Sequence, residues 1–317
     1  PMDWTEVKIN IPTRWVDGAS AIAQMVVPYG IYIEDYSDLV TEAPKIAHID
    51  LIDEELLQKD REHAVIHIYI SPEENPAEAV SFLHERLQSE GIPHEIDTES
   101  VQEEAWATAW KKYYHPIKLG QHLVICPSWE EVDCAPDEVK ITLDPGMAFG
   151  TGTHHTTQLC LEQLEENIKP GCSILDMGCG SGILSIGGIL LGAANATAVD
   201  IDPVAVRTCQ ENAAVNGVHA DRYRALSGDL VRDKKLREEI GSGYDIITAN
   251  IVADIIIALA PTFDGFLKDD GVLITSGIIA ERHQDVVEAL AKEGFYPVET
   301  VERKGWVAIT LKKAGKE

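Results

Sequence analysis

The stretch Ser173–Gly182, which reads S-I-L-D-M-G-C-G-S-G, limits the possible folds of this chain more than any other. Ser173, Ile174 and Leu175 open a short apolar run, and glycines follow at alternate positions, Gly178, Gly180 and Gly182. A second apolar run begins at Ile183. An apolar strand, a glycine turn and a helix start form the first βα unit of a nucleotide-binding sheet. Glycine suits such a turn because it accepts positive φ and lets a ligand approach the backbone, most closely here at Gly180.

The spacing narrows the ligand. A dinucleotide fingerprint places its third glycine where Ile183 stands, and a P-loop requires Gly-Lys-Ser/Thr. No Lys or Arg lies between Pro170 and Arg207. A site without basic residues suits a ligand without phosphates, and S-adenosylmethionine (AdoMet) is one. About twenty residues on, Ala198-Val199-Asp200-Ile201-Asp202 is a second strand ending in acid. A carboxylate there can accept both ribose hydroxyls. The plainer alternative is an ordinary glycine turn of an α/β protein, and the acidic strand end weighs against it.

A chain of 317 residues is long enough for two domains, each with its own core. The formal net charge of −27 opposes binding to nucleic acid, whose affinity rests on Lys and Arg meeting phosphates. The same acidity favours a cationic partner, or simply solubility. No apolar run approaches membrane-spanning length and the start lacks a signal-peptide pattern, so a cytoplasmic protein with no membrane contact is expected. The six cysteines form no C-x-x-C pair and no zinc spacing, consistent with reduced thiols and no metal.

Taken in order, residues 4–11 alternate as a half-buried strand, 14–27 carry a helical apolar pattern, and 30–36 form a second strand. His63–Ser71 is the clearest strand, with Ala64, Ile66, Ile68 and Ile70 on one face. His63 and His67 share the other face; with no third ligand visible they read as exposed strand histidines rather than a metal pair. A helix follows, marked by Asn75 as cap, Pro76, Glu78 and a stripe of Ala79, Leu83 and Leu87, and closed by Gly91. With a strand over 93–101 the order is βαββαβ, the ferredoxin-like arrangement. Residues 2–98 are therefore expected to be a recognition or docking domain, because they carry no catalytic chemistry. Residues 99–114 are a linker with a helical stretch. Its Trp106 and Trp110 share a helix face and either pack against a domain or touch substrate.

Residues 115–317 form the second domain. Its strands at 122–128 and 139–143 lead into L-D-P-G-M-A-F-G-T-G-T-H-H-T-T (143–157). This glycine loop, with Phe149 and Thr151, lies just before the cofactor strand and is a candidate lid over the ligand. Beyond the glycine turn, strands alternate with helices: a strand ending at Asp229, another at 244–249 running into Asn250, a fifth at 271–275, and an antiparallel pair over 295–301 and 306–311. The pattern is a doubly wound, mostly parallel sheet. Ligands bind at the carboxyl ends of such strands, which gathers Gly178, Asp200 and Asn250 around one crevice. Asp229 either accepts from an adenine amino group or caps a turn. Asn250 offers a side-chain amide oxygen and a backbone carbonyl to an amine, or caps the following helix. Ile251-Val252-Ala253 follows it with no aromatic to stack a planar acceptor, which favours an aliphatic amine.

At this point the sequence resembles a known family. H-P-I-K-L-G (115–120), I-C-P-S-W (125–129), L-D-P-G-M-A-F-G-T-G-T-H (143–154), D-M-G-C-G-S-G-I-L (176–184), D-I-D-P (200–203) and A-N-I (249–251) look like the bacterial methyltransferases of ribosomal protein L11. The resemblance covers nearly the whole chain. It implies a Rossmann-like class I methyltransferase domain behind a ferredoxin-like domain, and an AdoMet-dependent enzyme that trimethylates the α-amine and lysine ε-amines of L11. It implies that the N-terminal domain holds the substrate while the linker lets the catalytic domain reach several amines. By position, Thr157, Gly178, Asp200 and Asn250 correspond to AdoMet contacts. One departure is His155, where the family usually has proline. Two other readings remain: a methyltransferase of another protein or a small amine, and a non-catalytic AdoMet-binding module.

Overall fold

A computed structural model describes residues 4–26, 31–35, 62–70, 76–101, 116–143 and 155–315. The chain divides into two compact units, Pro1–Ile117 with Trp129–Asp133, and Lys118–Ser128 with Cys134–Glu317. Among the described residues no helix is long and apolar enough to cross a membrane.

The first unit contains β1 (Trp4–Pro12), α1 (Val16–Val26), β2 (Tyr32–Asp35), β3 (His63–Ile70), α2 (Pro76–Ser89) and β4 (Glu95–Val101). The strands form an antiparallel sheet in the order β2-β3-β1-β4, as the βαββαβ reading requires. Side chains alternate across a strand, so Val7, Ile9 and Ile11 of β1 and Ile66, Ile68 and Ile70 of β3 share one face. There they meet Ile22 of α1 and Leu83 and Leu87 of α2 in a single core. Helix α2 closes at Gly91, whose φ of 70° lets the Ile92 N–H return to the Leu87 carbonyl at 2.9 Å. Asn75, its expected cap, lies outside the described residues.

One expectation on this sheet is corrected. His63 is exposed, but His67 is buried, 4% accessible. Its Nδ1 lies 2.9 Å from Glu6 Oε1 and its Nε2 lies 3.2 Å from Glu34 Oε2. Both ring nitrogens have partners, which makes burial of the imidazole tolerable.

In the second unit, β5 (Ile117–Leu119), β6 (Leu123–Cys126) and β7 (Val139–Thr142) make a small sheet ahead of the main one. The main sheet takes β8 (Ser173–Met177), β9 (Asn195–Asp200), β10 (Tyr223–Ser227), β11 (Tyr244–Asn250), β12 (Leu267–Ile279), β13 (Phe295–Arg303) and β14 (Trp306–Lys313). Its order is β10-β9-β8-β11-β12-β14-β13. The first five strands run parallel, while β14 is antiparallel to β12 and to β13. Connecting helices are α3 (His155–Asn167), α4 (Ile183–Leu190), α5 (Pro203–Val215), α6 (Lys234–Ile240), α7 (Ala253–Phe266) and α8 (His283–Lys292). Ile174 and Leu175 of β8 are both fully buried, because a parallel sheet is covered on both faces.

Two details differ from the sequence reading. Helix α6 was not anticipated; Asp233 caps it by accepting the Leu236 N–H at 3.1 Å. Strand β12 runs from Leu267, well before the expected 271–275, because Leu267 pairs with Tyr244 ahead of an irregularity in the register. The strand order reverses between β8 and β11, and such a switch point opens a crevice at the carboxyl ends.

Candidate functional site

Three strand ends build the site. After β8, the N–H groups of Gly178 and Cys179 both donate to the Val199 carbonyl, at 2.8 and 3.0 Å. This ties the glycine turn to β9. Gly178 has φ of 71°, and a Cβ there would lie 2.4 Å from Ile251 Cγ2. The turn is therefore closely fitted to the residue that follows Asn250, and any side chain at 178 would separate the β8 and β11 ends. Gly180, with φ of 53°, donates its N–H to Asp200 Oδ2 at 2.9 Å.

Asp200, at the end of β9, also accepts the Asp202 N–H on Oδ1 at 2.9 Å. Burial pushes its carboxyl up, and these backbone hydrogen bonds pull it back. Each oxygen retains acceptor capacity for a further donor, as a vicinal diol needs. Below it, Asp176 of β8 is fully buried, taking a hydrogen bond from Thr248 Oγ1 at 2.9 Å and from the Ser185 N–H at 3.3 Å. Burial pushes the Asp176 carboxyl up to about 6 against those hydrogen bonds, and the nearby Asp200 charge adds to the rise. Two carboxylates with no basic residue between Pro170 and Arg207 make the turn a cation-favouring site.

The Asp176 environment gives a pH prediction. A carboxyl raised from 3.8 to about 6 in the folded state makes folding less favourable as pH rises through that window. The effect reaches roughly 3 kcal/mol once both states are ionised. Asp176→Asn removes the titration, so the stability of wild type minus that of the variant should fall by about 2–3 kcal/mol between about pH 4 and about pH 7. Urea unfolding across that range measures it, and a difference that does not change with pH refutes it.

Asn250 ends β11, half-buried, and its Nδ2 donates to Thr157 Oγ1 at 3.4 Å. Thr157 is itself fully buried on α3. The same helix is fastened to β12 by Ser276 Oγ, which donates to the Thr156 carbonyl at 2.8 Å, and to β14 by Thr310 Oγ1, which donates to Gln163 Oε1 at 2.8 Å. Asn250 does not cap α7: the cap position is Val252, with no side-chain hydrogen bond. With Nδ2 turned to Thr157, Oδ1 is the atom left to accept from a substrate. Gly277 keeps the neighbouring space open, since a Cβ there would lie 3.1 Å from Asn250 Oδ1 and 2.8 Å from the Ile251 carbonyl oxygen. Asp229 accepts the Val231 N–H on Oδ1 at 2.9 Å and so does cap its turn. Phe149, Thr151, His154, Trp106 and Trp110 lie outside the described residues.

The structure adds residues that sequence reasoning passed over. Asp176 carries no assigned role in the D-M-G-C-G-S-G-I-L stretch. Ser276 and Gly277 at the end of β12 gave no motif. Ile201 is 70% exposed directly after Asp200, and Val252 is 62% exposed two residues after Asn250. Apolar residues exposed at strand ends around a crevice are the usable signal for such positions.

A 3-2-1-4-5 parallel sheet with an antiparallel pair at its edge, a positive-φ glycine turn and an acidic second strand end defines a class I AdoMet-dependent methyltransferase. The turn fits AdoMet, because it offers a diol acceptor and an anionic environment and no phosphate ligand. The family described as Ribosomal protein L11 methyltransferase (PrmA) matches residues 3–314. A relative of that name from Acetivibrio thermocellus is 39% identical over 317 residues, spanning 98% of each chain. Another from Enterococcus faecalis is 39% identical over 323 residues and spans 100% of both. A crystal structure of a ribosomal protein L11 methylase from Lactobacillus delbrueckii subsp. bulgaricus superposes with a TM-score of 0.58 and 34% identity, covering 64% of this chain and 100% of that one. The chain belongs to the ribosomal protein L11 methyltransferase family, and it is an enzyme that uses AdoMet as methyl donor.

Proposed function

We propose that the chain methylates the α-amine and lysine ε-amines of ribosomal protein L11, with residues 2–98 holding the substrate, 99–114 as linker and 115–317 as catalyst. The observation that carries this reading is the family match across residues 3–314, which takes in the small N-terminal domain as well as the methyltransferase domain. AdoMet supplies an electrophilic methyl group on a sulfonium. Gly178 and Gly180 let it approach the backbone, Asp200 accepts from its ribose hydroxyls, and Asp229, which also caps its turn, accepts from the adenine amino group. Phe149 and Thr151 belong to the loop assigned to cover it. Thr157 acts through Asn250 by holding its amide nitrogen.

An amine attacks only when neutral, and a free lysine, with a pKa near ~10.4, must first lose a proton. Asn250 Oδ1 and the Asn250 backbone carbonyl accept the remaining amine hydrogens and turn the lone pair toward the methyl group. The exposed aliphatic Val252, two residues on, suits the methylene stem of a lysine rather than a flat ring. Incubating the chain with labelled AdoMet and extract of unmethylated ribosomes tests the whole reading. A single labelled band at L11 is expected. Label on another protein or on a small amine would replace L11 as substrate, and AdoMet binding with no labelled product would make the chain a binding module.

A further inference from the structure

Asp176 holds a negative charge in the core of the second unit with no cation to meet it. The side chain is fully buried two residues before Gly178, and its hydrogen-bond partners are neutral: Thr248 Oγ1 at 2.9 Å and the Ser185 N–H at 3.3 Å. Among the described residues no Lys, Arg or His forms an ion pair with it. Ser185 stands in the first turn of α4, so the open N–H groups of that turn lend some positive potential. They offset a fraction of the charge and leave the rest. A charge stripped of water is costly unless a counter-charge joins it. An Asn would fill the same volume and could still accept from Thr248, so the hydrogen bond alone does not call for a carboxylate.

The neighbouring elements supply no counter-charge. Asp200, at the end of β9, is a second carboxylate and adds to the rise of Asp176. Cys160 of α3 is pushed up by burial, and Cys179 of the glycine turn by its hydrogen bond with Cys209 and by burial, so both thiols stay uncharged beside Asp176. The carboxyl of Asp176 itself, raised by burial to about 6, is ionised at neutral pH. The cation that the site receives is therefore the ligand. AdoMet carries a fixed positive charge on its sulfonium. Methyl transfer removes it: the electron pair of the S–CH3 bond stays on sulfur, and S-adenosylhomocysteine (AdoHcy) is left as a neutral thioether.

We propose that Asp176 distinguishes fresh from spent cofactor: its buried carboxylate attracts the sulfonium of AdoMet, loses that attraction once the methyl group has gone, and so favours exchange of AdoHcy for AdoMet. Being fully buried, it acts through space and not by contact. Asp200 meets the ribose, which both ligands carry. The inference rests on AdoMet occupying the glycine turn and is independent of which amine is methylated.

Calorimetry of the full chain with AdoMet and with AdoHcy, near pH 7.5, tests it in wild type, Asp176→Asn and Asp200→Asn. Two unit charges within about 10 Å at an effective dielectric of about 20 shift an equilibrium on the order of tenfold. Asp176→Asn should therefore lower the ratio of AdoMet affinity to AdoHcy affinity by about tenfold, with AdoHcy affinity near wild type. Asp200→Asn should weaken both ligands. Equal losses of both ligands in Asp176→Asn would mean that the residue only shapes the turn, and would overturn the proposal, as would unchanged affinities. If Asp200→Asn weakens neither ligand, the cofactor is not held at this turn and the inference falls with that placement. Thermal unfolding reports whether Asp176→Asn is folded. If it is not, wild type decides: the affinity ratio should fall as pH is lowered through about 6 and the carboxylate takes up a proton, and a ratio constant from about pH 7.5 to about pH 5 overturns the proposal.

Discussion

Asn250→Ala should lower turnover at saturating AdoMet by about a hundredfold or more on every target amine, the scale expected when a group that positions a reacting atom is lost. Asn250 stands at the end of β11, one residue before the Ile251 side chain that closes on Gly178, so it borders the glycine turn directly. Its amide nitrogen is held by Thr157 on a helix that is itself fixed to β12 and β14. That leaves a rigidly aimed carbonyl oxygen, and rigid aim is what an in-line transfer requires. On the proposed reading every substrate amine, whether terminal or on a lysine, meets the same oxygen, so the loss should be uniform across sites. Mass spectrometry of the methylated residues, with rates compared at saturation to exclude weaker cofactor binding, reads it out. Near-normal rates would leave Asn250 as no more than the tie between β11 and α3.

How far this site could be read from sequence differs residue by residue. Gly178, Gly180 and Asp200 were legible because their chemistry is local. A positive-φ turn between two apolar runs needs glycine, and a strand-end carboxylate follows at a fixed interval. The order of the first unit was equally legible, since Ala64, Ile66, Ile68 and Ile70 recur at every second position of β3 and α2 has Pro76, Glu78 and Gly91 at the positions where helices start and stop. What was missed depends on partners distant in sequence. His67 sits on the polar face of its strand by alternation, yet Glu6, 61 residues away, and Glu34, 33 away, close over it. Asp176 sits among apolar neighbours, and only Thr248, brought alongside by β11, shows that its carboxylate is hydrogen-bonded in the core. Gly277 looks unremarkable in S-G-I-I until β12 is seen to end against the Ile251 backbone. The early start of β12 has the same origin: Leu267 joins the sheet because Tyr244 is beside it, against the turn-like composition of Lys268–Gly271.

A fragment beginning near Tyr113 should fold and bind AdoMet like the full chain, yet methylate intact L11 with kcat/KM reduced by about 10²–10⁴. Folding is expected because the main core draws its residues from Leu175 to Leu311, all within the fragment. Cofactor binding is expected because Gly178, Gly180, Asp200, Thr157 and Asn250 all lie beyond residue 155, and their bonds to one another remain within the same unit. The loss on L11 follows from tethering. A docking domain on a short linker presents the substrate to the catalytic domain at an effective concentration of about millimolar, and removing it forfeits a factor of about 10²–10⁴ without touching the active site. A short lysine peptide, too small to reach a docking domain, should be methylated at about the same low rate by fragment and full chain. The two substrates together separate recognition from chemistry: equal activity of fragment and full chain on intact L11 would remove residues 2–98 from substrate recognition. A fragment that loses AdoMet affinity would place part of the cofactor site before Tyr113, where the sequence shows no motif for it.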